Sequence, residues 1–307
     1  MIPLIIVFII IILILAISYW AYRMAFFNPM EGRDNYYDLP PGEQYEPLWP
    51  RMTKMIDSMV ETEFEEVYIT SYDGKQLFGR YFHVSDDAPL EIQFHGYKST
   101  ALRDYCGGSK LAHRLGYNEL LIDQRSHGRS DGSTITFGIK ERRDCLSWIN
   151  YAINRFGKDK RIILSGLSMG AATVLMVNDL KLPDNVIGII SDCPYSSPKA
   201  IIKKVCKDIG YPPTIAFPFI VLSAFIFGHF NIYESSPVNA VKCAKIPILL
   251  IHGDDDRFVP CDMSREIHNV RPDLIQFHTF PDAGHGISYL MNTERYEKLV
   301  EEFINNL

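Results

Sequence analysis

Residues 161–176 read RIILSGLSMGAATVLM, an apolar run followed by a G-x-S-x-G pentapeptide and a second apolar run. The first run predicts a strand and the second a helix, so Ser168 would sit on the turn between them. A serine on so sharp a turn leaves no space for side chains two residues before or after it, which accounts for Gly166 and Gly170. The helix start would also aim the backbone N–H of Met169 at an oxyanion formed beside the serine. The segment predicts a nucleophilic serine at the edge of a sheet.

Further strand-length runs alternate with helical stretches on both sides of this segment. Together with 161–165, the predicted strands are 89–95, 119–123, 186–191, 246–252 and 274–280. This order predicts a mostly parallel sheet with helices on both faces. Apolar residues recur at three- and four-residue spacing from Cys145 to Phe156, which predicts one buried helical stripe. Upstream, the runs 66–72 and 75–82 flank Asp73-Gly74 and predict a hairpin.

A serine needs a base to become nucleophilic, and the base needs an acceptor on its other ring nitrogen. Two turns that follow later predicted strands offer these groups. The first contains Asp254, Asp255 and Asp256, and the second contains His285. The carboxyl ends of parallel strands meet at one sheet edge, so these side chains are expected near Ser168, in the chain order Ser, Asp, His.

These motifs resemble those of serine hydrolases of the α/β-hydrolase fold, close to membrane-anchored bacterial relatives of the dipeptidyl aminopeptidase/acylaminoacyl-peptidase-like hydrolases. The resemblance covers about residues 62–307. The acid of that family sits in an H-G-x-x-D-x-x-V-P pattern, which 252–260 matches, and this implies Asp256 as the acid. His285 matches the histidine that precedes the last helix in the family. The resemblance implies an α/β-hydrolase fold, to which the insertion at about 194–240 adds a predicted cap.

Two further stretches are similar to family patterns. Phe94-His95-Gly96-Tyr97 follows a predicted strand, and the resemblance implies that the backbone N–H of Tyr97 is the second oxyanion donor beside that of Met169. Residues 123–130 are similar to the structural D-x-R-G-x-G-x-S stretch, with Ser126 in place of the usual glycine. That replacement bears on the shape of the loop.

The first 23 residues predict a transmembrane anchor. Residues 2–22 carry no charge, and at about 1.5 Å per residue they extend roughly 30 Å, the thickness of a bilayer's hydrocarbon core. They lack the basic start and small-residue cleavage site of a signal peptide, and a buried core helix is the alternative. Tyr19, Trp20 and Tyr22 resemble an interfacial aromatic belt. Arg23 and Arg33 favour a cytoplasmic position for the remaining chain.

Residues 24–61 are predicted to be a Pro-rich linker followed by a leading helix that carries Met52, Met55, Ile56 and Met59. The linker is either a spacer or a segment docked on the body. Residues 62–307 form one predicted domain, with an insertion at about 194–240. The apolar run 215–227 within it predicts a cap over the carboxyl edge of the sheet, and a cap that touches the membrane is the alternative.

Composition and charge exclude other classes of function. The chain has 307 residues, is 47% apolar, and carries 31 basic against 37 acidic side chains without a long run of either sign. A globular body is expected and a nucleic-acid partner is not. Neither metal-ligand spacing nor a nucleotide-binding glycine motif occurs, so neither a metal nor another cofactor is expected. The six cysteines have no framework spacing and are interpreted as scattered thiols.

The sequence therefore predicts a membrane-anchored serine hydrolase that cleaves carboxylic esters through an acyl-enzyme. The expected catalytic residues are Ser168, Asp256 and His285, and the expected substrate is a small-molecule or lipid-like ester. A serine peptidase, amidase or thioesterase is one alternative. A non-catalytic membrane scaffold with the same fold is another.

Overall fold

The computed structural model describes residues 2–307 and contains an eight-stranded sheet. The strands are β1 (Glu65–Thr70), β2 (Gln76–Phe82), β3 (Leu90–Phe94), β4 (Asn118–Ile122), β5 (Ile162–Leu167), β6 (Val186–Asp192), β7 (Ile248–Gly253) and β8 (Ile275–Phe280). Their order across the sheet is β1-β2-β4-β3-β5-β6-β7-β8. Strands β1 and β2 form an antiparallel hairpin, β2 pairs antiparallel with β4, and all other pairs are parallel. The predicted mostly parallel sheet is confirmed.

Helices precede, connect and follow the strands. They are α1 (Ile2–Ala25), α2 (Trp49–Val60), α3 (Ala101–Asp104), α4 (Gly108–Arg114), α5 (Glu141–Phe156), α6 (Met169–Met176), α7 (Pro198–Asp208), α8 (Pro213–Ile226), α9 (Pro237–Ala240), α10 (Asp262–His268), α11 (Ser288–Met291) and α12 (Thr293–Asn305). Short 3₁₀ turns occupy Glu46–Leu48, Val177–Asp179 and Val241–Cys243.

The helices cover both faces of the sheet, because neighbouring strand residues point to opposite sides. Leu164 packs in a cluster with Trp148 of α5, the helix predicted from its apolar stripe. The preceding residue, Ile163, packs in a different cluster with Leu111 of α4 and Phe303 of α12. All five side chains are buried. The sheet is thus the middle layer of three, and its carboxyl edge is left for loops.

Helix α1 has an exposed part and a docked part. The side chains of residues 2–17 are exposed and, apart from Pro3, apolar, whereas Ser18, Ala21 and Tyr22 are buried against the body. The helix is long and apolar enough to cross a membrane, a property that membrane spans share with signal sequences.

The segment after α1 is docked on the body. Phe26 is fully buried, and the Asn28 amide donates to the carbonyl of Ser126 across 2.7 Å. The guanidinium of Arg33 donates to the carbonyl of Gly132 across 2.7 Å. Of the two alternatives for this Pro-rich stretch, spacer or docked segment, the structure has the second.

Helices α7 and α8 form most of the insertion at 194–240. They pack on one side of the carboxyl edge, where Ile201 of α7 and Phe217 of α8 share an apolar cluster with Met169 and Tyr22. Helix α8 also packs against α1, with the ring of Phe227, the residue after α8, 5.3 Å from that of Tyr19. The insertion therefore joins the body to the N-terminal helix.

Candidate active site

The turn that carries Ser168 is strained and closely packed. Ser168 has φ 55° and ψ −112°, and its N–H donates to the carbonyl of Asp192 across 2.8 Å. A Cβ on Gly166 would lie 2.3 Å from the carbonyl oxygen of Gly170, and a Cβ on Gly170 would lie 1.8 Å from that of Phe94. Only glycine fits at these two positions. The turn holds the serine hydroxyl at the carboxyl edge between β5 and α6.

The structure brings the three predicted side chains into one hydrogen-bonded chain. The Oγ of Ser168 lies 2.8 Å from Nε2 of His285. The Nδ1 of the same ring lies 2.7 Å from Oδ2 of Asp256. With the proton on Nδ1, the ring donates to the carboxylate and Nε2 accepts from the serine hydroxyl. This arrangement can remove a proton from the serine.

Asp256 is held as a buried carboxylate. Its Oδ1 accepts from the backbone N–H groups of Phe258 at 2.9 Å and Val259 at 2.8 Å. Burial raises the pKa of Asp256, but attraction to His285 and hydrogen bonds from His252 and His285 outweigh burial, so its pKa lies well below the ordinary value. The group therefore carries its charge at neutral pH.

The neighbouring aspartates point elsewhere. Asp254 is exposed, and its Oδ1 accepts from the N–H of Asp282. Asp255 is half-buried and accepts from the amide of Gln44 at 2.9 Å and from Arg257 at 3.0 Å. Among these three aspartates, Asp256 is the one whose carboxylate is within hydrogen-bond distance of a His285 ring nitrogen.

A second histidine, His252, also contacts the carboxylate of Asp256. Its ring is fully buried, with Nε2 2.8 Å from the carbonyl of Val259 and 3.1 Å from Oδ2 of Asp256. Its Nδ1 lies 2.6 Å from Oγ of Ser264, so the ring is bonded on both nitrogens. From the sequence pattern, His252 is interpreted as a turn histidine whose ring nitrogens are hydrogen-bonded within the loop. The contact with Asp256 could not be inferred from that pattern.

The loop after β3 passes beside the serine. A Cβ on Gly96, the residue before Tyr97, would lie 3.4 Å from Cβ of Ser168. The N–H of Gly96 donates to Oδ2 of Asp104 across 2.7 Å, which fixes the loop. Within residues 2–307, the N–H groups of Tyr97 and Met169 have no hydrogen-bond acceptor. They are available to an oxyanion.

Two buried histidines brace this loop. The Nε2 of His95 accepts from the N–H of Gln124, and the Nε2 of His127 accepts from the N–H of Lys98, each across 3.0 Å. Burial lowers the pKa of both rings, so they are neutral acceptors. Ser126, which stands where the similar family has glycine, adopts φ 65° and donates from Oγ to the carbonyl of Thr134 across 2.9 Å. The serine therefore occupies a left-handed conformation that glycine adopts without strain.

Solved structures with this arrangement of strands and helices have been described. The esterase Pf2001 of Pyrococcus furiosus superposes with a TM-score of 0.66 at 23% identity over 81% of this chain and 93% of that one. The acylaminoacyl peptidase of Pyrococcus horikoshii superposes with a TM-score of 0.59 at 22% identity over 79% of this chain and 41% of that one. This chain has the α/β-hydrolase fold.

Similar sequences agree with this fold. The uncharacterized protein YqkD of Bacillus subtilis is 26% identical over 82% of the present chain and 83% of its own. The lysophosphatidylserine lipase ABHD12 of Xenopus tropicalis is 22% identical over 79% of the present chain and 60% of its own. No protein-family profile matches the chain. The similar proteins with named activities, an esterase, a lipase and a peptidase, support a hydrolase.

The α/β-hydrolase-fold chain has a cavity of about 200 Å³ at Ser168. One wall comes from the segment that precedes α2 and from α2 itself, through Pro40, Tyr45, Met52 and Met55. We call residues 36–48 the strap. Within the described chain, none of the residues that line this cavity belongs to the insertion at 194–240. The strap forms this wall of the cavity, whereas α8 packs on α1; that the insertion caps the carboxyl edge stays a prediction.

Three potential metal ligands meet at the same edge, namely Cys193, Asp256 and His285, whose ligand atoms lie within 4.8 Å of one another. Burial raises the pKa of the Cys193 thiol well above its usual value, so the sulfur remains protonated. Because the other two groups already bond each other, this cluster suits proton transfer better than metal binding. All six cysteines are free thiols in the described chain, and Cys243 is exposed.

Proposed function

We propose that the protein is a membrane-anchored serine hydrolase that cleaves carboxylic esters. The observation that carries this proposal is the chain of contacts from Ser168 Oγ to His285 Nε2, at 2.8 Å, and from His285 Nδ1 to Asp256, at 2.7 Å. Three groups in these positions have the geometry of a nucleophile, its base and the acid that orients the base.

In the proposed reaction, Oγ of Ser168 attacks the ester carbonyl as Nε2 of His285 takes the hydroxyl proton. The backbone N–H groups of Tyr97 and Met169 bind the oxyanion that forms. Collapse of this intermediate breaks the bond to the alkoxy group, which leaves with the proton from His285. A water molecule then attacks the acyl-enzyme with the same base, and the acid and free serine are released.

Asp256 contributes through its charge and its position. It keeps the proton of His285 on Nδ1, so that Nε2 is a free base, and it stabilises the imidazolium that forms during attack. Its two backbone donors and its lowered pKa keep it ionised during this cycle. The acid must be Asp256 in this mechanism, because Asp254 and Asp255 are bonded elsewhere.

The cavity bears on the class of substrate. Its volume of about 200 Å³ is below the range of about 300–1,000 Å³ typical of sites for drug-sized ligands. Met52, Met55, Leu167 and Leu290 supply an apolar lining. These features favour a short acyl group. The esterase and lipase similarities support an ester, whereas the peptidase similarity covers 41% of that chain.

Helix α1 supplies the proposed membrane anchor. Its exposed residues 2–17 have no charge, and its aromatic end at Tyr19, Trp20 and Tyr22 is followed by Arg23. A single-pass helix with the body on the side of Arg23 and Arg33 gives a cytoplasmic orientation under the positive-inside tendency.

The test is hydrolysis of p-nitrophenyl esters of increasing acyl length by the full chain in detergent. The full chain is needed because the strap lines the cavity. We expect activity with a short-chain optimum, and Ser168→Ala should lower it to a residual of about 10³- to 10⁴-fold over water. Ser147→Ala, at a half-buried position on α5 where the hydroxyl donates to the carbonyl of Arg143, is the control and should retain wild-type turnover.

Wild-type turnover in Ser168→Ala would overturn the mechanism. Activity on peptide amides without activity on esters would replace the esterase by a peptidase. If a fluorophosphonate probe fails to label the folded protein at Ser168, the protein is a non-catalytic scaffold of the same fold.

A further inference from the structure

Helix α8 crosses α1 instead of running alongside it. Tyr211, two residues before α8, has its ring 5.7 Å from that of Trp20. Phe227, the residue after α8, has its ring 5.3 Å from that of Tyr19. The 14 residues of α8 between them extend about 21 Å, whereas residues 19 and 20 differ by about 1.5 Å along α1. Both ends of α8 therefore lie beside the same turn of α1, which places α8 across α1.

The composition of α8 suits a position at a membrane surface. Its 14 residues carry no charge. At about 1.5 Å per residue the helix is roughly 21 Å long, too short to cross a hydrocarbon core of about 30 Å. If α1 spans the bilayer, then α8 lies roughly in the plane of the membrane, at the level of the aromatic residues of α1.

One face of α8 is packed and the opposite face is open. Phe217, Ile220 and Ala224 are buried against the body, whereas Ile215 is 65% exposed and Phe225 is 70% exposed. The buried Phe217 also lines an open groove, together with Pro218, Val221, Leu222, Phe225 and Tyr233. An apolar groove of this kind is rare on a surface that contacts water alone.

Lysines of α7 lie beside this apolar surface. The helix carries Lys199, Lys203, Lys204 and Lys207. The ammonium of Lys203 lies 5.1 Å from the ring centre of Phe217, and that of Lys199 lies 5.9 Å from the ring centre of Tyr233, so both flank the groove. The ammonium of Lys204 lies 2.5 Å from the carboxylate of Asp208, which is the one acidic residue of α7. The helix therefore carries a net positive charge.

We propose that α7 and α8 form a lipid-binding surface that lies on the membrane beside α1, with acyl chains of anionic phospholipid in the α8 groove and their headgroups on the α7 lysines. Apolar side chains inserted at the interface and lysines above it are the two contributions that hold such helices on anionic membranes. The inference rests on α1 as the anchor of the proposed hydrolase.

This surface would also position the active site. The hydroxyl of Tyr97, on the oxyanion loop, donates to the carbonyl of Ala25 across 3.0 Å, so the end of α1 contacts the loop beside Ser168. With α1 and α8 both held by lipid, the body has two points of attachment and cannot swing about one helix. The catalytic edge is then fixed close to the bilayer surface, where amphiphilic esters concentrate.

The test measures insertion of single labelled sites in the full chain, reconstituted in vesicles. Cysteines are introduced at Ile215→Cys, at Ile10→Cys in α1 and at Val84→Cys in the Cys243→Ser background, because Cys243 is the exposed native thiol. Val84 is an exposed apolar control in the β2–β3 connection, at the opposite edge of the sheet. An environment-sensitive fluorophore is attached, and the vesicles contain lipids with a nitroxide on the acyl chain.

The vesicles are made of phosphatidylcholine alone or of equal parts phosphatidylcholine and phosphatidylglycerol. We expect loss of fluorescence at positions 10 and 215 but not at 84, with greater loss at 215 in the anionic vesicles. Lys199→Glu combined with Lys207→Glu should remove that increment and leave quenching at position 10 unchanged.

Quenching at position 10 without quenching at 215 would overturn the proposed surface and leave the anchor intact. Equal quenching at position 215 in vesicles with and without phosphatidylglycerol would show that anionic headgroups do not bind the α7 lysines. If position 10 is unquenched, α1 is not inserted, and both the anchor and this inference are wrong.

Discussion

The hydroxyl of Tyr45 donates a hydrogen bond to the backbone carbonyl of His285 across 3.2 Å. The bond joins the strap, which follows the N-terminal helix, to the loop that carries the proposed base. Burial raises the pKa of Tyr45, followed in effect by repulsion from Asp256, so the phenol stays protonated and donates. Gln44 adds a second link, from its amide to the carboxylate of Asp255 at 2.9 Å. The strap thereby braces both loops that flank the proposed acid and base.

Tyr45→Phe should lower turnover. Loss of this bond costs about 1 kcal/mol, which is equivalent to a decrease in kcat of roughly three- to tenfold if the bond is maintained through attack. The hydroxyl of Tyr37, also in the strap, donates to Asp57 at an exposed position, so Tyr37→Phe is the matched control and should leave kcat unchanged. Ester hydrolysis by both variants tests this, and equal kcat values for Tyr45→Phe and wild type would contradict it.

The kcat values of Asp256→Asn and Asp255→Asn should differ by orders of magnitude. A neutral amide at 256 no longer selects the Nδ1–H form of His285, and kcat should fall on the order of 10³- to 10⁴-fold. Asp255 bonds Gln44 and Arg257 instead, so its replacement should change kcat by less than about tenfold. Steady-state kinetics with a short-chain ester distinguish the two. A large loss of kcat in Asp255→Asn without one in Asp256→Asn would show that Asp255, and not Asp256, is the acid.

Residues with a strict steric or chemical requirement were the predictable part of this site. Gly166 and Gly170 lie where any Cβ would meet backbone, so the pentapeptide signals the turn whatever surrounds it. The order of strands and turns then places Asp256 and His285 at the same edge. These restrictions act over a few residues, and for that reason they are visible in the sequence.

The strap could not be predicted in the same way. Its contacts join Tyr45 and Gln44 to residues more than 200 positions away, and its prolines are equally compatible with a loose spacer. The apolar insertion at 194–240 could not be predicted for a different reason. Its composition fits a cap, a core or a membrane surface, and contacts such as that of Phe227 with Tyr19 show that it packs on α1.

Gly170→Ala should prevent stable folding. Its Cβ would overlap the carbonyl of Phe94, a backbone group in the central strand β3 that cannot move aside. Gly116→Ala is the control, because Gly116 has φ 75° and open space around it, so the methyl group adds strain of about 1–2 kcal/mol without a clash. Melting temperature and soluble yield in detergent measure the difference. A melting temperature for Gly170→Ala equal to that of Gly116→Ala would show that the turn is less tightly packed than described.

Relative to wild type, Glu91→Gln should be more stable at alkaline pH than at acid pH. Burial, followed by repulsion from Glu119, raises the pKa of Glu91 to about 7 from an ordinary value of 4.5. Between these two values the folded chain keeps a proton that the unfolded chain has released, so the stability of the wild type falls as the pH rises through this window and levels off above it.

The amide at position 91 does not titrate, so the free energy of unfolding of the variant relative to wild type should rise by up to about 3 kcal/mol between about pH 4.5 and pH 8. Melting temperatures of both proteins in detergent across this range measure the change, with Glu63→Gln at an exposed position as the control. A constant difference between Glu91→Gln and wild type would mean that Glu91 is ionised throughout.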